Sequence, residues 1–369
     1  MTGSFKLNAF LEKAVKSDVS DIHLKVGESP MIRRDGVILK LDMPKISKED
    51  MNFIINSVVP DFIKERITSA TDLDFSYHIE GVSRFRVNLS RSMSEFNLVF
   101  RVIPYYIASF EKLHLPKSIN QFADYNNGLV LVTGPTGSGK STTLASFIDY
   151  INSTYQKHII TVEDPVEFVF KDKKCKVTQR QIGIDTDSFH DGIKYALRQD
   201  PDVILVGEIR DQITLDSALK AAETGHLVFA TLHTNDAVQT IYRIINMYNP
   251  EDRDTVRHQL AQSLRGTIAQ KLVKKATGNG RFPACEILVV TPTIKDLIIK
   301  DELDGIYDLV RKGSFNEMIT MNESLYRLVE AGAITKEAAL NASDDKTELE
   351  QFFRGVYRGT KSHGESAYD

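Results

Sequence analysis

One stretch, Gly128 to Thr143 (GLVLVTGPTGSGKSTT), constrains the fold more than any other part of the chain. Within it, Gly134 to Ser141 matches the pattern G-x-x-x-x-G-K-[ST]. Leu129 to Val132 is a short apolar run, as expected of a strand buried on both faces of a parallel sheet. The glycines allow backbone angles that turn N–H groups inward around phosphate oxygens. Leu144 to Ile148 then reads as a helix, whose N-terminal donors point at the same anion. A glycine-rich turn that matched by chance would lack these flanks. The candidate nucleotide-binding residues are therefore Gly134, Pro135, Thr136, Gly137, Ser138, Gly139, Lys140, Ser141 and Thr142. Lys140 supplies a point charge between the β- and γ-phosphates of ATP, and Ser141 a hydroxyl for Mg²⁺.

A chain of 369 residues has room for two domains, at roughly 150 residues each. Its net charge of −4 leaves no basic excess, so nucleic acid is not an expected partner. No apolar run approaches the roughly 20 residues that span a bilayer, and the N-terminus does not read as a secretory signal. The two cysteines, Cys175 and Cys285, are far apart and form no C-x-x-C. A reducing, cytoplasmic location is expected.

Before the phosphate loop the pattern changes. Leu7, Phe10, Leu11, Ala14 and Val15 have helical spacing, which predicts an amphipathic helix over residues 4–16, closed at Ser17-Asp18. Asp21 to Val26 alternates as a strand with one covered face, and Arg33 to Gly36 reads as a strand end entering an Asp-Gly turn. Residues 48–69 read as helical with a break near Pro60. Strands follow at Asp72 to Ile79, Arg84 to Leu89, and Leu98 to Ile103, the last ending at Pro104. This is a small α+β domain of antiparallel character. Arg84, Arg86 and Arg101 lie on its strands, where a charge faces solvent, a partner or a ligand. One reading is a solvated sheet face. The other is an arginine that reaches a phosphate across a boundary. His23 reads as a partly buried polar residue rather than a metal ligand.

From Gly128 onward strands and helices alternate at βαβ spacing, predicting a mostly parallel sheet. Strands are expected at Leu129–Val132, His158–Val162, Val203–Val206 and Leu227–Ala230, each followed by a polar cluster. In open α/β sheets ligands lie beyond the carboxyl ends of the strands. The first cluster, Glu163-Asp164-Pro165-Val166-Glu167, holds carboxylates that need a cation or a basic side chain. The second, Gly207-Glu208-Ile209-Arg210-Asp211, follows an apolar strand in the Walker B manner, with Gly-Glu in place of the usual terminal Asp. Glu208 is the candidate to orient or deprotonate the attacking water. In the third, Thr231-Leu232-His233-Thr234, His233 either contacts the γ-phosphate or ties down a loop. Arg198, Arg210 and Arg243 are further basic residues that can neutralise transition-state charge or pair with the acidic clusters.

Together these clusters resemble the secretion/pilus ATPase superfamily, in particular the PilT/PilU-type ATPases that retract type IV pili. The resemblance covers nearly the whole chain. Ser20 to Leu24 with Arg33 to Gly36 is similar to that family's N-terminal PAS-like domain. Gly134–Ser141 matches its Walker A box and Ile160 to Phe168 its aspartate box. Leu197 to Asp211 matches its Walker B box, and Ala222 to Thr234 its histidine box. The resemblance implies a RecA-like P-loop NTPase domain, a homohexamer, and ATP hydrolysis that drives pilin disassembly and twitching motility. It assigns catalytic roles to Glu208, Glu167, His233, Arg84, Arg86 and Arg101, and metal contacts to Ser141, Glu167 and Glu208. It implies the inner-membrane pilus platform protein as partner, a paralogous retraction ATPase beside it, and a place at the inner face of the cytoplasmic membrane. Two motifs depart from the family. The stretch matching A-I-R-N-L-I-R-E runs from Thr291 to Lys300, with Lys295 and Ile299 at the two arginine positions. G-M-Q-T-F-D becomes Met318 to Glu323. Lysine does not replace a bidentate arginine. An accessory ring with weak turnover is thus the alternative to a retraction motor. An assembly or secretion ATPase fits less well, because its four-cysteine zinc motif and longer N-terminal region are not found here.

The C-terminal third reads as helical at Val238 to Tyr248, again over residues 252–272, and from Thr293 onward. Gly278-Asn279-Gly280 forms a hairpin-type turn before Ala284 to Val290. The expected organisation is α/β: a PAS-like domain over 1–104, a linker over 105–127, a RecA-like core over 128–292, a helical region over 293–358, and a disordered tail over 359–369.

Overall fold

The computed structural model describes residues 5–17, 19–34, 36–67, 71–103, 106–313 and 317–356. The expectations placed on Asp18, Asp35, Pro104 and the tail lie outside these residues. Two units divide the chain. One runs from the N-terminus to Tyr106 and includes Glu167–Val169. The other holds Ile107–Val166 and Phe170 onward.

In the first unit, α1 (Leu7–Lys16) buries Leu7, Leu11 and Ala14, one stripe of a 3.6-residue period. It is followed by β1 (Asp21–Lys25), β2 (Met31–Arg34), β3 (Val37–Lys40) and α2 (Lys48–Val58), whose N-cap Ser47 accepts from the Asp50 N–H. A 3₁₀ turn at Asp61–Ile67 follows Pro60, where the sequence predicted the break. Then come β4 (Asp72–Ile79), β5 (Ser83–Ser92) and β6 (Glu95–Ile103). The sheet is antiparallel, in the order β3-β2-β1-β6-β5-β4. Along β5, Phe85, Val87 and Leu89 are buried while Arg84, Arg86 and Asn88 are half-buried on the other face. Phe85 and Phe100 meet edge to face at 6.2 Å in the core. Strand β3 was not foreseen. It is an edge strand exposed along its whole length, so no alternation betrays it.

The second unit begins with buried side chains, Phe110, Leu115, Ile119 and Phe122, which pack into the core beneath the sheet. Its elements are β7 (Gly128–Thr133), α3 (Lys140–Thr154), β8 (His158–Glu163), β9 (Lys176–Gln181), α4 (Phe189–Ala196), β10 (Val203–Val206), α5 (Gln212–Glu223), β11 (Leu227–Leu232), α6 (Ala237–Ile245), α7 (Arg253–Ser263), β12 (Leu264–Lys274) and β13 (Arg281–Val289). Among the described residues, the helices α8 (Pro292–Lys300), α9 (Asp304–Lys312), α10 (Met321–Glu330), α11 (Lys336–Ala342) and α12 (Lys346–Phe353) follow. The sheet runs β13-β12-β7-β11-β10-β8-β9, parallel except for the β12–β13 pair. The α/β class and parallel core follow the sequence expectation.

One expectation fails. The helix predicted over residues 252–272 ends at Ser263, and Leu264–Lys274 is strand β12. β12 lies between β7 and β13 with most of its residues buried, so ladder pairing overrides its helix-tolerant composition. Gly266 explains why this strand can sit there. A Cβ at that position would meet Phe122 Cε1 at 2.3 Å and the Leu288 carbonyl oxygen at 2.5 Å.

Candidate nucleotide site of the second unit

The strand registers bring the polar clusters to one edge. Thr133 on β7 pairs with Leu232 on β11, so Gly134 and His233 leave the sheet at the same level on neighbouring strands. Val206 pairs with Val162 and with Ala230, which sets Gly207 and Glu208 beside Glu163 and Thr231. The Thr231 hydroxyl donates to the Gly207 carbonyl at 2.6 Å, and the Ile209 N–H to the Thr231 carbonyl at 2.9 Å.

The phosphate-loop glycines have the backbone the sequence requires. Gly134, Gly137 and Gly139 sit at φ 140, 77 and 92°. Gly139 is also the N-cap of α3, and no side chain caps that helix end. Lys140 therefore stands buried at the positive end of a helix with no acidic residue in its first turn, an unfavourable place for a cation. Its ammonium donates to the carbonyls of Gly134 at 2.9 Å and Pro135 at 3.1 Å. The buried hydroxyls of Ser138 and Thr133 have no hydrogen-bond partner. Open helix-end donors and unpartnered hydroxyls are groups a bound polyphosphate would satisfy. The residues present thus fit a nucleoside triphosphate, and Ser141 stands at the second position of α3.

Sequence reasoning missed Gln270, on β12. Its amide donates to the Ser138 carbonyl at 2.8 Å, and its carbonyl accepts from the Thr143 hydroxyl at 2.7 Å. A Cβ at Gly134 would lie 2.3 Å from the backbone carbonyl oxygen of Gln270, so β12 presses directly on the loop. Misreading β12 as helix hid this brace.

Glu208 is half-enclosed and held on both oxygens. Arg210 Nη2 lies 2.8 Å from Oε2, and His233 Nε2 lies 3.0 Å from Oε1. The hydrogen bond to Glu208 and its charge raise Arg210 further above the ordinary guanidinium value. His233, Thr234, Asn235, Gln239, Tyr242 and Arg243 line an open cleft of about 330 Å³. Arg198 lies instead with its guanidinium 5.9 Å from the Tyr195 ring. Glu163 accepts from the Thr161 hydroxyl at 2.7 Å and from the Gln179 amide at 3.1 Å. Glu167 belongs with the first unit. The second unit by itself thus joins the phosphate loop, Glu208, Arg210 and His233, but not Glu167 or the strand arginines. Burial raises both thiols, Cys285 to about 12, so neither is a reactive cysteine. Among the described residues, no cluster of three His, Cys, Asp or Glu side chains forms a metal site.

In the first unit the three arginines share one sheet face. Arg86 lies directly opposite Arg101, a like-charged pair that acidic neighbours must offset. Arg101 Nε meets Asp21 at 2.8 Å, and Arg86 Nε lies 3.6 Å from Asp74. Arg84 donates to the Ser76 hydroxyl at 3.1 Å, while its buried Nε has no partner. His23 Nε2 on β1 is also buried without one.

Residues 4–348 match the family described as Type II/IV secretion system protein. The chain belongs to this family. One relative is the type IV pilus retraction ATPase PilT of Pseudomonas aeruginosa, 42% identical over 333 residues, covering 90% of this chain and 96% of the relative. The type IV pilus ATPase PilU of the same organism is 36% identical over 339 residues, covering 92% and 89%. A crystal structure of the pilus retraction motor PilT with bound ADP aligns at a TM-score of 0.88 with 44% identity, covering 94% of this chain and all of that one. Family membership accounts for the RecA-like core that the clusters led us to expect.

Proposed function

We propose that this chain is an ATPase whose turnover drives retraction of a type IV pilus, and hence twitching motility. The observation that carries this reading is the phosphate loop with its unsatisfied donors, set beside a carboxylate, Glu208, that is held by Arg210 and His233. Similarity to PilT over nearly the full length of both chains supports the mechanical role.

In this reading Lys140 and the loop N–H groups bind the β- and γ-phosphates, and Ser141 contributes a hydroxyl to the metal. Ser141 would hold a Mg²⁺ ion, which would offset the charge of the phosphates. Glu208 orients the attacking water and accepts its proton. His233 and Arg210 hold Glu208 until nucleotide draws one of them to the γ-phosphate. Glu167 assists at the metal, and Arg84, Arg86 or Arg101 supplies positive charge to the transition state. The working form is a homohexamer at the inner face of the cytoplasmic membrane, acting on the pilus platform protein. Among the described residues no helix is long and apolar enough to cross a membrane.

A second reading, an accessory ring with feeble turnover, is favoured by Lys295 and Ile299 on α8 and by the similarity to PilU. One experiment separates the two. ATPase rate is measured against protein concentration, with particle mass determined in the same samples with and without Mg-ATP. A rate that climbs as hexamers form supports the motor. Hexamers that barely turn over support the accessory ring. Full activity in a monomer removes both.

A further inference from the structure

Glu286, on β13, is buried, and the phosphate chemistry makes no use of it. Its two oxygens serve two different helices. Oε1 accepts from the Ala237 N–H, the first residue of α6, at 2.8 Å, and Oε2 from the Met321 N–H, the first residue of α10, at 3.4 Å. In each helix the donor two residues further on goes to the helix's own cap. Asp236 accepts from Gln239 N–H at 2.7 Å, and Thr320 from Glu323 N–H at 3.2 Å. First-residue donors, which helix geometry leaves without a partner, thus converge on one carboxylate at two positive helix ends.

Both helices lead somewhere. α6 continues directly from the loop that carries His233. The Thr234 and Thr240 hydroxyls are 2.7 Å apart, and Thr240 donates to the Asp236 carbonyl at 2.7 Å, which straps that loop to the first turn of α6. α10 opens the final helices, and neighbours of Glu286 hold its start. Ile287 and Ile319 exchange backbone hydrogen bonds at 2.8 and 3.2 Å, and the Cys285 N–H donates to the Ser324 hydroxyl at 3.0 Å.

We propose that Glu286 is a positioning residue for hydrolysis, holding the His233–Asp236 loop in register with the C-terminal helices so that a shift of α10 is felt at His233 and Glu208. It acts through α6 and touches no reacting atom. Charged and titratable groups on the elements around it include Asp236 at the α6 cap, Lys271 on β12 with its partner Asp344, Tyr307 on α9 with Glu348 on α12, and the Glu323–Arg327 pair on α10. Burial pushes the Glu286 carboxyl up to about 7; Asp236 adds to the rise, and the two N–H donors and Lys271 oppose it. Ionised, Glu286 accepts from both helices. Protonated, one oxygen becomes a donor and one helix loses its acceptor.

The test uses the full chain and its E286A and E286Q variants, with kcat and KM for Mg-ATP followed from about pH 5.5 to 8.5. E286A is expected to lower kcat on the order of tenfold or more while KM stays within about twofold, since loosened geometry costs turnover rather than nucleotide affinity. Wild-type kcat should decline as pH falls through about 7, and E286Q, which cannot titrate, should lack that decline. An E286A enzyme with wild-type kcat overturns the proposal, as does a rise in KM that matches the fall in kcat. So does an acid decline in E286Q identical to the wild type, and this last comparison decides alone if E286A does not fold.

Discussion

The second unit contains two polar clusters that treat their hydrogen-bonding capacity in opposite ways. At the phosphate loop, capacity is left over: the buried Ser138 and Thr133 hydroxyls have no partner. Around Glu286 and Glu348, capacity is filled. Glu348 accepts from the Tyr307 hydroxyl and the Asn322 amide, each at 2.5 Å, and Ser343 donates to Asn322 at 2.6 Å. Buried polar groups cost free energy unless paired, so leftover capacity marks a place that waits for a ligand. Filled capacity marks a place that holds elements together. The first cluster should answer to mutation in turnover, the second in stability or in the coupling between elements.

The sharpest way to break this contrast lies at Glu208. Glu208→Gln keeps the shape and one acceptor but removes the base, so turnover should drop by roughly 10²–10⁴. ATP should stay bound, which a fluorescent-nucleotide titration would register as an unchanged dissociation constant. Near-normal hydrolysis in this variant would move the catalytic role elsewhere. Lys140→Ala comes next. Loss of one preorganised charge at the developing phosphate charge should cost on the order of 10²–10³ in rate, here with weaker nucleotide binding. Retained affinity would mean that Lys140 prefers its loop carbonyls even with nucleotide present. Gln270→Ala tests the brace behind the loop. It removes the hydrogen bonds to Ser138 and Thr143 without touching phosphate, so a fall of about tenfold in kcat/KM is expected from misplacement of the loop. A value equal to wild type would show that Gly134 and its neighbours hold their angles without help from β12.

How far these residues could be read without coordinates follows from their distance along the chain. Gly134 to Ser141 specify their geometry within one strand–turn–helix, so the local pattern suffices. The strand-end positions of Glu208 and His233 were legible because apolar strands end just before each of them. Gln270 was not, since its partners Ser138 and Thr143 lie far back in the sequence and its own strand carries no alternation. Glu286 was hidden for a related reason. A buried glutamate on an apolar strand reads as an anomaly until the first turns of α6 and α10 are seen to meet there. Strand β3 gave no signal because, exposed along its length, its Val37, Ile38 and Leu39 have no covered face to mark. The arginine row illustrates the middle case. Its alternation on β5 was readable, whereas the Arg86–Arg101 pairing and its offset by Asp21 depend on register.

Tyr307→Phe gives the smallest effect and closes the comparison from the other side. The Tyr307 hydroxyl donates to the buried Glu348 carboxylate, and burial together with that bond raises the phenol well above its ordinary range, so it remains a donor throughout the accessible pH range. Removing it leaves Glu348 with Asn322 but one donor short. Hydrogen bonds to charged groups contribute about 1.5–3 kcal/mol, so unfolding by denaturant should show a loss of that size. Turnover per folded enzyme should be unchanged, because the Tyr307 hydroxyl bonds Glu348 and not the phosphate loop or Glu208. If instead stability held and kcat fell, the C-terminal carboxylates would belong to the motor's working parts. The distinction between leftover and filled capacity would then fail as a guide to which buried polar groups act.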